Sequence, residues 1–135
     1  MALANEMEVE ALAQSLTECA DAVHERIKAA IKHREIERDQ AQAMFQEENL
    51  LRQRANGLYI DAAKSVVEGL TEPQEGLLAA VNKAREQIEE IARFIDLVTD
   101  LAVLAAAVSA GKPAPILAAL KEVKDGVDDV NSQVA

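Results

Sequence analysis

Residues 6 to 55 contain neither glycine nor proline, and this feature limits the possible folds more than any other. Glycine and proline are the residues that most often interrupt or end a helix. Within the run, apolar side chains recur in steps of three and four: Leu12, Leu16, Cys19, Val23, Ile27 and Ile31. Because that spacing places them on one helix face, the run predicts a long amphipathic helix.

The predicted first helix extends from about residue 6 to residue 69. Its apolar stripe fades over residues 32 to 42, resumes at Met44 and Phe45, and continues to Leu70. Asn56-Gly57 can be read as a turn or as a glycine tolerated inside a helix. The apolar phase agrees on both sides of it, which favours a continuous or kinked helix. Gly69 can end this helix in a left-handed conformation.

Two further helices are predicted after this point. Thr71 and Gln74 have the spacing of a capping box, which starts a second helix from about residue 72 to residue 110. The second helix carries a heptad seam that is expected to form the intrachain core, with Leu77, Val81, Ile88, Ile91, Ile95 and Val98. Gly111 and Pro113 end it, and a third helix is expected from about residue 115 to residue 131.

The predicted fold class is therefore all-α. Aromatic residues make up only 2% of the chain, and the strong helix formers Ala, Glu, Gln, Leu, Lys and Arg dominate. That composition is typical of long helices that pack through narrow apolar faces. The chain is expected to form one elongated domain over residues 1–135, a long helical hairpin or coiled-coil-like bundle with a short third helix.

The segment 94–110 is the most apolar part of the chain and could face a membrane or a core. Its charge-free run, from Leu101 to Ala110, is half of the roughly 20 residues that a membrane span requires. Asp96 and Asp100 would each cost about 3 kcal/mol near a bilayer centre. A core is therefore favoured, with the third helix folding back so that four pairs lie side by side: Leu117 and Ser109, Leu120 and Ala106, Val123 and Val103, Val127 and Thr99.

Helix lengths predict self-association. A first helix of residues 6–69 would be ~95 Å long and the second only ~55 Å, so part of the first would lack intrachain cover. The uncovered residues are expected to form a homo-oligomer interface, most simply in an antiparallel dimer: Leu12, Leu16, Val23, Ile27 and Ile31. The acidic residues 1–25 would then lie against the basic residues 26–38 of the partner, although the two blocks can also be solvated faces. A monomer would indicate instead that the first helix breaks near residues 32–42, which lets its N-terminal half fold back onto the bundle.

No catalytic, cofactor-binding or metal-binding residue is predicted. Asp21 and His24 share one helix face but form only half of one motif of a di-iron bundle. Cys19 lies in the apolar stripe, where a cysteine acts as a small hydrophobic residue. The segment GKPAP lacks the glycine spacing and the Ser/Thr of a phosphate-binding loop.

The expected function is that of a non-enzymatic coiled-coil interaction or assembly protein, an adaptor, chaperone or structural subunit. It would self-associate and dock a protein partner through a helical face. The net charge of −10 disfavours nucleic acid as a partner. One alternative is a membrane-active protein like a helical pore-forming toxin, using residues 94–110, and a second is an acidic protein inhibitor. The single cysteine and the acidic N-terminus suggest a cytoplasmic protein, while secretion by a signal-independent route stays open.

Overall fold

A computed structural model describes residues 1–90 and 94–134, without the side chains of residues 89–90, 94–95 and 128–134. Five α-helices account for most of this part of the chain, and a 3₁₀ helix lies at Ala62–Ser65. The α-helices are α1 (Glu6–Lys32), α2 (Arg38–Ile60), α3 (Gln74–Glu90), α4 (Phe94–Ala110) and α5 (Pro113–Val134). The described residues contain no strand, and the prediction of an all-α fold is confirmed.

Helix α1 begins with a reciprocal pair of side-chain hydrogen bonds. The N-cap residue Asn5 accepts a hydrogen bond from the backbone N–H of Glu8, at 3.0 Å. The Glu8 carboxylate in turn accepts one from the backbone N–H of Ala4, at 2.8 Å. These bonds satisfy amide groups that a helix start leaves unpaired, and the acidic side chains Glu6 and Glu8 favour the positive end of the helix dipole.

Helix α1 ends at Lys32, where the predicted first helix of residues 6–69 would have continued. The backbone N–H of Glu35 donates to Ala30 O and that of Arg34 donates to Ile31 O, which is the Schellman arrangement. Arg34 takes the left-handed position with φ of 57°. The observed chain therefore has two helices, α1 and α2, in place of one long helix. A non-glycine residue in the left-handed position allows this turn without glycine or proline.

Helix α2 returns along α1 in the opposite direction, because Asp21 pairs with Arg52 while His24 pairs with Glu48 further back along α2. The Glu37 N–H at its start donates to the Gln40 side chain, at 2.9 Å. The helix runs through Asn56-Gly57, so the prediction of helix across that dipeptide is confirmed. It ends at Ile60, well before Gly69.

Residues 61–73 connect α2 to α3 and hold the N-terminal segment in place. Gly69 has the predicted positive φ, of 76°, but lies in this connection and not at the end of a helix. The N–H of Ala2 donates to Glu72 O at 2.7 Å, and the N–H of Val67 donates to Leu3 O at 2.9 Å. The side chain of Gln74 accepts from the Leu3 N–H and donates to Glu8 O, both at 3.0 Å.

The predicted second helix of residues 72–110 corresponds to α3 and α4. Residues 91–93 between them lie outside the described residues. Helix α4 ends as expected, with Gly111 at φ of 74° and its N–H donating to Val108 O at 2.9 Å. Pro113 opens α5, because a proline in the first turn lacks only an N–H that would have no helical partner.

Helix α4 packs against all four other α-helices, with most contacts to α2 and α5. Its apolar side chains are therefore buried in the common core, namely Leu97, Val98, Leu101, Ala102, Leu104, Ala105 and Val108. Helix α5 covers this segment as predicted: a Cβ added to Gly126 would stand 3.0 Å from Leu97 Cδ2 and 3.1 Å from Asp100 Oδ2. Val103, predicted to lie beside Val123, remains 49% exposed.

Candidate interaction surface

Four of the five predicted oligomer-interface residues are buried inside the single chain. Leu12, Leu16, Val23 and Ile27 have no exposed surface, whereas Ile31 is 45% exposed. The fold-back of α2 and the packing of α3 on α1 supply the cover that the long-helix prediction lacked. The four residues belong to the intrachain core, which corrects their assignment to an interface; of the five, only Ile31 remains available to a second chain.

The predicted intrachain seam is buried wherever its side chains are described. Leu77, Val81, Ile88 and Val98 are fully buried in the core. Ile91 and the side chain of Ile95 lie outside the described residues. The seam is divided between two helices, since its first three members lie on α3 and Val98 lies on α4.

A polar cluster connects the middle of α1 to the middle of α2. Glu48 is only 4% exposed, and its carboxylate lies 2.8 Å from His24 Nδ1 and 3.0 Å from Arg52 Nη2. Arg52 also donates to Asp21, at 2.8 Å, and the His24 ring tilts against Phe45 with centroids 5.5 Å apart. Burial is the largest single effect on the pKa of Arg52 and lowers it. The hydrogen bonds and negative charges of Asp21 and Glu48 together outweigh burial, so the pKa is raised above its ordinary value. The buried Glu48 carboxylate is thus satisfied by partners on both helices, His24 on α1 and Arg52 on α2.

A groove of about 530 Å³ lies between α1 and α3. Ala22 and Ala29 are its small residues, and charged side chains form the rest of its lining: Glu18, Asp21, Glu25, Arg26, Arg85 and Glu86. The Arg85 Nη1 and Glu18 Oε2 atoms are 2.7 Å apart, which joins the two helices. The alanines of the groove leave space for a partner to approach closely, and the charged side chains of the groove can select that partner.

A second hollow of about 500 Å³ adjoins the groove near the C-terminal end of α1. It is lined by Glu25, Lys28, Ala29, Ile31 and Lys32, so it shares Glu25 and Ala29 with the groove. The exposed part of Ile31 is its only large apolar side chain. Groove and hollow together make one continuous surface along the second half of α1.

The outward face of α1 carries a regular row of polar side chains, here named the α1 stripe. Its members step by four and three residues, as a heptad does, and are Gln14, Glu18, Asp21, Glu25, Lys28 and Lys32. Asp21, Glu25 and Lys28 are all more than half exposed. The stripe is acidic from Glu18 to Glu25 and basic at Lys28 and Lys32. The sequence indicated these two charge blocks, but the structure is needed to show that they share one exposed face.

Cys19 is not available as a nucleophile. It is fully buried, and its Sγ lies 3.7 Å from Val81 O. Burial raises the pKa of the Cys19 thiol to about 12, and only the thiolate is a strong nucleophile. The prediction that Cys19 acts as a small hydrophobic residue agrees with this position.

Asp21 and His24 are both occupied by α2 side chains, as described above for the polar cluster. Across the described part of the chain, no group of three or more His, Cys, Asp or Glu side chains is placed to hold a metal ion. On α4, partial burial and then the nearby carboxylates of Glu122 and Asp96 raise the pKa of Asp100 to about 6.

Among the described residues, no helix has both the length and the apolar character needed to cross a membrane. Comparison of the sequence with models of known protein families, with curated proteins and with solved structures gave no match. The properties of the surface described above are therefore the basis for assigning a function.

Proposed function

We propose that this chain is a non-enzymatic helical interaction module that docks a helix on the exposed surface formed by α1 and the α1–α3 groove. The observation that carries the proposal is the groove itself, an open channel of about 530 Å³ between two helices, with alanines among its lining residues. The proposal retains the expectation of a protein that self-associates and docks a protein partner.

The shape of this surface suits a helix as the occupant. Ala22 and Ala29 lie two turns apart on α1 and are small enough to allow a close approach of a second backbone. The α1 stripe beside them repeats in steps of four and three, so its members lie on one helix face, where they can pair with the charges of a second helix. A helix–helix contact is thus proposed between chains and not within the long hairpin that the sequence predicted.

The charges on the rim provide selectivity. Glu18 and Arg85 already neutralise each other across the groove, and Arg26 pairs with Glu35 at 2.9 Å. Asp21, Glu25, Lys28 and Lys32 remain at the solvent edge, where complementary charges guide encounter and reject wrong partners more than they add affinity. Binding of this kind should therefore weaken as salt concentration rises.

Site-specific photo-crosslinking in the native host tests the proposal. A photoreactive amino acid replaces Ala29, in the groove, and in a matched variant it replaces Ala118, which is exposed on α5. We expect a discrete crosslinked species from the Ala29 variant and none of comparable yield from the Ala118 variant. Equal yields at the two positions, or no crosslink at Ala29, would contradict the proposed surface.

A further inference from the structure

The α1 stripe has a charge pattern that is complementary to itself. Its acidic half precedes its basic half along a single helix face, and the change of sign falls between Glu25 and Lys28. When a copy of α1 is laid alongside in the antiparallel direction, position i faces position 53 − i, which brings Glu25 to Lys28 and Asp21 to Lys32. A two-fold axis generates each pair twice.

We propose that the occupant of this surface is α1 of a second copy of this chain, bound antiparallel through the α1 stripe. The inference rests on the proposed function and names the partner for it. A basic helix from another protein would match the acidic half of the stripe and be repelled by the basic half. An acidic helix would have the opposite mismatch. An antiparallel second copy pairs Asp21 and Glu25 of the acidic half with both lysines of the basic half in one register, while Glu18 keeps its own intrachain partner, Arg85.

Glu25, Lys28 and Lys32 are free to change partners, whereas Asp21 already accepts a hydrogen bond from Arg52 at 2.8 Å and, being 63% exposed, can accept one from Lys32 as well. Glu25 and Lys28 form an intrachain pair at 3.5 Å, and both are largely exposed, at 71% and 58%. Lys32 has no ion-pair partner among the described residues. Exchanging these contacts for interchain ones costs little, because the intrachain pair is long and solvated. The two-fold arrangement also brings the exposed part of Ile31 beside the second chain.

Charge reversal with complementation is the direct test. In Glu25→Lys two lysines face each other at both symmetric contacts, and in Lys28→Glu two glutamates do. Each single variant should associate at least about tenfold more weakly than the original chain. An equimolar mixture of the two should form a heterodimer, and the double variant Glu25→Lys/Lys28→Glu should dimerise on its own. Sedimentation equilibrium at about 20 mM salt, where screening is weak, measures the association of the original chain, the two single variants, their mixture and the double variant.

Lys121→Glu is the matched control for Lys28→Glu, because it makes the same change of net charge on an exposed position of α5. It should leave the association unchanged, and circular dichroism should show every variant folded. The inference is overturned if the original chain remains a monomer at low salt up to about 1 mM. It is also overturned if the single reversals keep the original mass, or if the mixture fails to restore association.

The outcomes separate this inference from the proposed function. If Ala29 crosslinks to a different protein and the charge reversals have no effect, the interaction surface stands and the self-docking inference falls. If Ala29 gives a crosslinked product of twice the chain mass and the mixture restores association, both stand. If neither experiment gives a product, both fall.

Discussion

Arg34→Gly should stabilise the protein, and the sign of its effect decides whether α1 and α2 are separate helices. Arg34 has φ of 57°, a conformation that costs a non-glycine residue about 1–2 kcal/mol. Glycine avoids that cost but gains freedom in the unfolded chain, which offsets about 0.5–1 kcal/mol. The net expectation is a gain of about 0.5–1 kcal/mol in the free energy of unfolding.

The same substitution has the opposite effect in a continuous helix. There, residue 34 would be an interior helical position, and glycine would destabilise the protein by roughly 1 kcal/mol. The Arg34 side chain is exposed and none of the described ion pairs includes it, so the backbone conformation dominates the difference. The two arrangements therefore differ by about 1.5–2 kcal/mol in the expected result.

Urea denaturation followed by far-UV circular dichroism measures this difference, with Gln14→Gly as the control. Gln14 is exposed in the middle of α1, so its replacement by glycine should destabilise the protein by about 0.5–1 kcal/mol in either arrangement. Opposite signs for the two variants would support the turn at residues 33–37. A destabilisation of Arg34→Gly equal to that of Gln14→Gly would refute it.

Two further predictions follow from burial and charge. Leu16→Ala should lower the free energy of unfolding by about 2–5 kcal/mol without changing the mass seen by light scattering, because Leu16 is fully buried within one chain. A loss of association at unchanged stability would instead indicate that Leu16 lies in an interface between chains. Asp100→Asn should stabilise the protein by about 1 kcal/mol at pH 7, after allowance for solvent screening, because the pKa of Asp100 is raised to about 6 and its ionised form is the unfavourable one. Ionised Asp100 lowers the free energy of unfolding progressively as pH rises from about 4 to about 6. The melting temperatures of the two proteins should therefore converge below pH ~4. A constant difference at every pH would contradict the assignment of the effect to ionisation of Asp100.

Periodicity and punctuation were sufficient to predict much of the fold. The three-and-four spacing predicted helices throughout, and Gly111 with Pro113 predicted the turn between α4 and α5. The apolar run of α4 was correctly expected to pack beneath α5. These features succeeded because each depends on residues that are close together in sequence and have strong local preferences.

The turn at residues 33–37 could not be predicted in the same way. It has no glycine or proline, and its left-handed residue is an arginine, so local preference favours continuing the helix. Packing over long sequence distances overrides that preference, since breaking the helix lets α1 bury Leu12 and Leu16 against other helices. The fading of the apolar stripe over residues 32–42 was the one signal, and it indicated where a break would fall if the chain were monomeric.

The groove was missed for a related reason. Its two walls come from residues about 60 positions apart, and the Glu18–Arg85 pair that joins them has no signature in the sequence. The buried contact of Glu48 with His24 and Arg52 was equally hidden, because a glutamate between polar residues resembles an ordinary solvated position. The charge blocks of α1, in contrast, were visible from the sequence and lacked only their geometry.

The position of α4 has a consequence for biosynthesis. Helix α5 follows α4 in the chain, so the most apolar segment, residues 94–110, leaves the ribosome before the helix that covers it. Until α5 packs on α4, Leu97 is exposed on the side that Gly126 later covers. A premature stop codon between α4 and α5 would make the exposure permanent, and the truncated product should be a preferred substrate for chaperones and proteases.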